Sequence, residues 1–193
     1  MSAASMALGR GVNTVFLDRD GVLNEKVPEG QYVSSWQQFR VLDGVAEAVA
    51  RLNRAGMRVL VVTNQRGVAL GLYTIEDVEA LHARFAQFLA PHGARVDAFY
   101  VCPHDRGECR CRKPLPGLFE QAVAAFKEIS AATSVMIGDS LVDMEFGRGV
   151  GMKTILIEGA AATRAPAAEK AAELADLQCA SLAEAVQAIL GPD

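Results

Sequence analysis

Val15-Phe16-Leu17-Asp18-Arg19-Asp20-Gly21 decides how the rest of the chain is read. Three apolar residues, two of them β-favouring, run into two carboxylates at i and i+2, and a glycine then lets the chain turn away. This is the pattern of a strand buried on both faces that delivers acids at its carboxyl end, where open α/β sheets place their chemistry. Standing alone, the stretch is better read as a strand followed by an acidic turn.

The flanking sequence repeats the pattern. Asn24 to Arg40 is irregular and too polar for core, with Pro28, Gly30, Tyr32 and Trp36; it either walls one side of a pocket or forms a surface loop. Asp43-Gly44 opens a helix with Val45, Ala48, Val49 and Leu52 on one face and Gly56 at its end. A second buried strand, Arg58 to Val62, empties into Thr63-Asn64-Gln65, and Thr74 with Asp77 starts a helix carrying Val78, Leu81, Phe85 and Leu89. Ala98 to Val101 is a third strand, and Pro116 marks the next helix start. Ser134 to Ile137, ending in Gly138-Asp139, and Thr154 to Ile157 are the fourth and fifth strands. Ala160 to Ala175 reads as helix, Leu177 to Cys179 as a short edge strand, and Ser181 with Glu184 caps a last helix ending near Leu190. Strands alternating with helices imply right-handed crossovers and an α/β fold, a three-layer, doubly wound parallel sheet.

At 193 residues, 51% hydrophobic and 22% charged, the chain has the size and composition of one soluble domain, 1–193, with 1–13 as a loose N-terminal tail. A net charge of -4 without a basic block argues against nucleic acid as a partner. No run approaches a membrane span or a signal peptide, so a cytoplasmic protein acting as a monomer away from membranes is expected. Cys102, Cys109 and Cys111 lie within ten residues while Cys179 stands apart, which fits a metal site in a reducing compartment better than disulfides.

In a parallel sheet the strand ends share one edge, so Asp18 and Asp20, Thr63, the loop ending at Lys113, and Asp139 with Asp143 converge. Carboxylates gathered in one place need a hard cation, and oxygen donors with room for water and phosphate suit Mg²⁺. Phosphoryl transfer follows, with Asp18 as nucleophile, Asp20 as acid and base, Asp139 holding the metal and Asp143 supporting it. Thr63 and Lys113 would balance charge on the phosphoryl group. The loop Cys102-Pro103-His104 through Cys109-Arg110-Cys111 offers three thiolates and an imidazole, a closed donor set for structural Zn²⁺; the bland alternative is a loop of free thiols.

Asp18-Arg19-Asp20-Gly21, Thr63-Asn64-Gln65, Arg112-Lys113-Pro114 and Gly138-Asp139 through Asp143 resemble, in order and spacing, the four motifs of the haloacid-dehalogenase phosphatases. The resemblance covers 14 to about 158 and implies the same roles, with Asp18, Asp20 (through its carbonyl) and Asp139 on Mg²⁺ and Arg112 beside Lys113. Val22 departs from the Thr that many members carry. The Cys-x-His and Cys-x-Cys pairs before Arg-Lys-Pro are similar to two capless subgroups, the heptose-bisphosphate and the histidinol-phosphate phosphatases. No cap domain is therefore expected, and substrate contact is expected from Asp18, Arg19, Asp20, Asn64, Gln65, Arg66, Arg112 and Lys113.

Gly30 to Trp36 and Asn64 to Gly71 resemble the loops of the heptose-bisphosphate subgroup, except that Leu70 stands where Arg is usual. Arg66, Arg110, Arg112 and Lys113 offer more positive charge than one phosphate uses, which favours a small sugar bisphosphate over the cationic histidinol phosphate. The expected reaction is hydrolysis of the 7-phosphate of D-glycero-D-manno-heptose 1,7-bisphosphate, in surface-polysaccharide heptose synthesis. Histidinol-phosphate hydrolysis, a polynucleotide 3′-phosphatase activity and a non-catalytic phosphosugar-binding or zinc-dependent interaction module are the competing readings.

Overall fold

In the computed structural model, which describes residues 11–158 and 167–191, β1 (Thr14–Leu17) lies in the middle of the sheet that its apolar run predicts. It pairs in parallel with β2 (Arg58–Asn64) on one side and with β4 (Ser134–Gly138) on the other. β3 (Ala98–Cys102) extends the first side; β5 (Lys153–Ile157) and β6 (Leu177–Cys179) extend the second, giving the order β3-β2-β1-β4-β5-β6 with every pair parallel. The winding direction therefore reverses at β1 and β4, and a crevice opens outside the carboxyl ends of those two strands. Asp18 leaves β1 and Asp139 leaves β4 at that point.

Alternation along β1 builds the two interior layers, because successive side chains of a strand face opposite ways. Val15 and Leu17 join one core with α1 (Val45–Arg54), α3 (Ile75–Leu89) and α7 (Leu182–Leu190). Phe16, with Leu60, Val62 and Met136, joins the other against α4 (Gly117–Ala125) and α5 (Leu141–Val150). A short α2 (Arg66–Ala69) follows β2, and α6 (Ala168–Leu174) packs with Ala171 against Met144 and Leu156. Both expected N-caps form: Thr74 and Asp77 make a reciprocal capping box, and the Ser181 side chain accepts from the Glu184 N–H. Among the described residues the motif intervals hold loops and helices of this one sheet, with no inserted domain. No helix there is long and apolar enough to cross a membrane.

Two expectations need correction. The stretch Asn24 to Arg40 is not excluded from the core: Val33 and Phe39 are buried, and Trp36 stacks on Phe39 with centroids 5.6 Å apart while Phe39 meets Phe85 at 5.3 Å. Scattered aromatics anchor this loop where its average polarity suggested none. Of the expected loose tail, residues 1–10 lie outside the described residues, but Val12 is buried and the Asn13 N–H donates to the Thr133 carbonyl. Of the expected alanine-rich helix, Ala168–Leu174 forms, and positions 160–166 lie outside the described residues.

On α3, His82 is buried against the edge strand, stacked 4.3 Å from Phe99, and its Nε2 has no hydrogen-bond partner. Burial, assisted by the nearby Arg19 charge and opposed by Asp20, lowers its pKa to about 3. The unfolded chain takes up a proton on this ring below its ordinary pKa while the folded chain does not, so stability falls as pH drops from about 6.5 toward 3. By pH 5 the cost reaches about 2 kcal/mol at 1.36 kcal/mol per unit. Thermal melts of His82→Phe and wild type should therefore diverge in favour of the variant as pH is lowered from 7 to 5; parallel melting curves would contradict this.

Candidate active site

The carboxylates of Asp18, Asp139 and Asp143 stand at the crevice, each with one oxygen within 4.8 Å of the others'. β1 and β4 hold two of them in register, the Asp18 N–H donating to the Ile137 carbonyl at 2.9 Å. Asp143 enters from the first turn of α5, where it and Ser140 form a reciprocal capping box. Gly138 is required beneath it, since a Cβ there would lie 2.2 Å from that of Asp143. Gly21, at φ +95°, likewise leaves room for Asp139, whose Oδ2 a Cβ would approach to 2.2 Å.

Two ammonium groups offset the three acids. Lys113 Nζ donates to Asp18 Oδ1 at 2.8 Å and to Asp143 Oδ1 at 2.6 Å; Lys26 Nζ donates to Asp139 Oδ2 at 2.6 Å. Burial, with Asp143 and Asp139 adding repulsion and Lys113 opposing, pushes Asp18 up to about 7. Burial also pushes Asp139 up to about 6, against the pull of Lys26. Lys113 goes the other way: burial disfavours its charge, yet Asp143 and Asp18 outweigh this and hold it above the ordinary lysine range. The cluster thus remains short of positive charge, and Asp139 Oδ1 is buried with no partner. All-oxygen donors with one unsatisfied carboxylate oxygen fit a hard divalent cation such as Mg²⁺.

Asp20 is turned away from this trio. Its carboxylate accepts from Arg19 Nε at 3.1 Å and Nη2 at 3.0 Å, from Asn24 Nδ2 at 2.9 Å and from Gln65 Nε2 at 3.1 Å. Burial works to raise its pKa, but Arg19 and these amide donors overcome it and hold the group below the usual carboxylate value. Gln65 Nε2 also donates to Thr63 Oγ1 at 2.8 Å, and its Oε1 accepts from the Tyr73 hydroxyl at 2.8 Å.

Lys113 is fixed from behind. The Asn64 amide donates to the Lys113 carbonyl at 3.1 Å and accepts from its N–H at 3.0 Å, joining β2 to the cysteine loop. In that loop Cys102, His104, Cys109 and Cys111 bring their donor atoms within 4.8 Å of one another. Neighbouring donors lie 3.3 to 3.8 Å apart. A tetrahedron of Zn–S bonds ~2.3 Å long has edges of about 3.8 Å, so the four groups fit one zinc. The Arg112 N–H points at Cys109 Sγ, 3.4 Å away, tying the cluster directly to the Arg112-Lys113 turn. On the outer side, Arg66 makes a two-pronged pair with Asp105 at 2.6 and 3.1 Å.

Sequence and structure comparisons agree on what this arrangement is. A HAD-hydrolase-like family model matches residues 110–185. The D-glycero-beta-D-manno-heptose-1,7-bisphosphate 7-phosphatase of Escherichia coli O6:H1 is 38% identical over 192 residues, 94% of this chain and 96% of its own. The chain belongs to the haloacid-dehalogenase-like hydrolases. Another member, the D-glycero-alpha-D-manno-heptose-1,7-bisphosphate 7-phosphatase of Mycobacterium tuberculosis, is 42% identical over 137 residues, 70% of this chain and 72% of its own. The crystal structure of D,D-heptose 1,7-bisphosphate phosphatase from B. bronchiseptica, complexed with magnesium and phosphate, superposes with a TM-score of 0.81 at 30% identity, covering 93% of this chain and 98% of that one.

Within this haloacid-dehalogenase frame, Asp18, Thr63, Lys113, Asp139 and Asp143 meet at one sheet edge, as their strand-end positions predict. Several expected substrate contacts also make bonds that hold the site together. Arg19 is 1% exposed and bonded to Asp20 and the Val33 carbonyl. Gln65 is buried, both amide atoms of Asn64 are used on Lys113, and Arg66 is taken up by Asp105. The Asp20 side chain lies outside the carboxylate trio, leaving only its backbone carbonyl for a metal. Sequence reasoning missed Lys26 and Asn24, whose only signal was their place in the segment after the catalytic strand. Replacing Arg19 by Met leaves the Asp20 carboxylate without its charge partner and should cost ~3 kcal/mol in denaturant unfolding. The double variant Arg19→Met/Asp20→Asn should recover part of that loss, and strict additivity would contradict the pairing.

Proposed function

We propose that the chain is a Mg²⁺-dependent phosphatase that hydrolyses the 7-phosphate of D-glycero-D-manno-heptose 1,7-bisphosphate through a phosphorylated Asp18. The observation that carries the chemistry is the single Lys113 ammonium held between Asp18 and Asp143, which leaves the nucleophile in place and its charge partly balanced. Asp18 attacks phosphorus and the bond to the sugar oxygen breaks. Asp20 supplies the proton that oxygen needs, then takes one from the water that releases phosphate. The donors around Asp20 favour its ionised form, which suits the second step; for the first, the carboxylate must leave Arg19 and take a proton from solvent, which it then passes to the sugar oxygen. Thr63 and Lys113 meet the phosphoryl oxygens. Asp18, Asp139 and the Asp20 carbonyl would hold Mg²⁺, supported by Asp143, and the bound ion supplies the charge that lets an anion approach a phosphate.

The sugar bisphosphate is supported by the named relatives and by a second basic site. A cleft of about 460 Å³ beside Lys113 is lined by Asn64, Arg106 and Arg112, and Arg112 Nη1 is buried there without a partner. Arg112 and the exposed Arg106, rather than Arg66 in its pair with Asp105, supply the positive charge that a second phosphate uses. Cys102, His104, Cys109 and Cys111 would hold zinc as a structural ion, whose work would be to fix the Arg112-Lys113 turn against β2.

Asp18→Asn should reduce kcat below roughly a hundredth of wild type because the amide is not a competent nucleophile. Retention of more activity than that would refute attack by Asp18. On one preparation, kcat/KM for either anomer of the heptose bisphosphate should exceed that for histidinol phosphate, and a ratio below one for both anomers would reverse the substrate assignment. Metal analysis should find one zinc per chain, lost in Cys109→Ser together with activity but not with the carboxylate site; fully active zinc-free protein would end the structural reading of the loop.

A further inference from the structure

Lys26 has no place in the phosphatase scheme above, yet it sits at its centre. Its ammonium lies 2.6 Å from Asp139 Oδ2, and Asp18 and Asp143 also favour its charged form. The two lysines that neutralise the acid trio differ in freedom. The Lys113 side chain is 2% exposed, bonded to two acids, and its backbone is clamped by Asn64. The Lys26 side chain is 29% exposed, makes one ion pair, and comes from a loop. It also opens onto a cleft of about 480 Å³, bounded by Gly21, Glu25, Asp43, Asp139 and Glu158, into which it can withdraw.

We propose that Lys26 is an exchangeable counterion: it occupies Asp139 in the metal-free protein, gives way when a divalent cation takes that carboxylate, and then presents its ammonium to the incoming phosphate. The inference rests on Asp139 being a cation ligand. A dication on the unpartnered Asp139 Oδ1 would stand close beside the ammonium on Oδ2 and repel it, and Lys113 is too confined to yield, so the exchange falls to Lys26. Metal and phosphate then bind with positive coupling, because the cation that leaves the metal site is the one the anion receives. The enzyme in turn never exposes three uncompensated carboxylates between cycles.

Calorimetric titration of the full-length, zinc-loaded protein with MgCl₂, without phosphate, tests this independently of turnover. A partly exposed ion pair competes modestly, so Lys26→Met should bind Mg²⁺ about fivefold more tightly than wild type. At saturating Mg²⁺ the same variant should bind inorganic phosphate about fivefold more weakly. Equal or weaker Mg²⁺ affinity in Lys26→Met would overturn the exchange. Unchanged phosphate affinity would overturn the second half and place the released ammonium on Glu25, Asp43 or Glu158. Asp139→Asn serves as the separate control: if it binds Mg²⁺ as wild type does, the metal assignment itself is wrong. Should Lys26→Met fail to fold, reductive methylation of wild type reports the same event. Labelling of Lys26, but not of Lys113, should rise severalfold with Mg²⁺ and fall again with phosphate, and a constant Lys26 rate would overturn the proposal.

Discussion

A buried ammonium between two carboxylates, Lys113 Nζ between Asp18 and Asp143, is the interaction on which the site depends. Two like charges separated by about 5 Å repel by roughly 3 kcal/mol at an effective dielectric of 20, so three acids at one sheet edge would force one another apart or take up protons. The pKa of about 7 for Asp18 shows that repulsion and burial are only partly offset without a further cation. What keeps the ammonium in position is backbone, since the Asn64 amide grips both polar groups of the Lys113 peptide unit. The cysteine and histidine cluster closes the loop on its other side.

Around this centre the polar residues form a supporting layer with little contact to solvent. Arg19, the largest of the fully buried side chains, is neutralised by Asp20, while Gln65 links Asp20 to Thr63 and Tyr73. Most donors and acceptors in this layer are satisfied, while Arg19 Nη1 and Asn24 Oδ1 are buried without a partner. The layer holds the Asp20 carboxylate apart from the trio of Asp18, Asp139 and Asp143 and leaves its backbone carbonyl free. The loop following β1 serves both purposes, packing Val33 and Phe39 into the core while Lys26 reaches back to Asp139.

The sheet was legible in the sequence because buried parallel strands are short continuous apolar runs, and the polar residues that end them fall at the crevice by topology alone. Asp18, Lys113, Asp139 and Asp143 were found on that basis, and the cysteine spacing located the second cluster. The direction in which a polar side chain turns was not legible. Arg19 and Gln65 sit in the motifs but face inward, and Lys26 meets Asp139 across 113 positions of sequence. The aromatic anchors Trp36 and Phe39 were hidden by polar neighbours, since average polarity does not record which few residues of a loop face the core.

The central claim is that this edge makes Asp18, and no other acid of the group, the residue that carries the phosphoryl. Protein quenched in acid during steady turnover of the heptose bisphosphate and then reduced with borohydride converts an acyl phosphate into the corresponding alcohol, which peptide mass spectrometry locates. The account predicts homoserine at position 18 and unmodified Asp20, Asp139 and Asp143. Homoserine at any of those three positions, with position 18 unmodified, would contradict it.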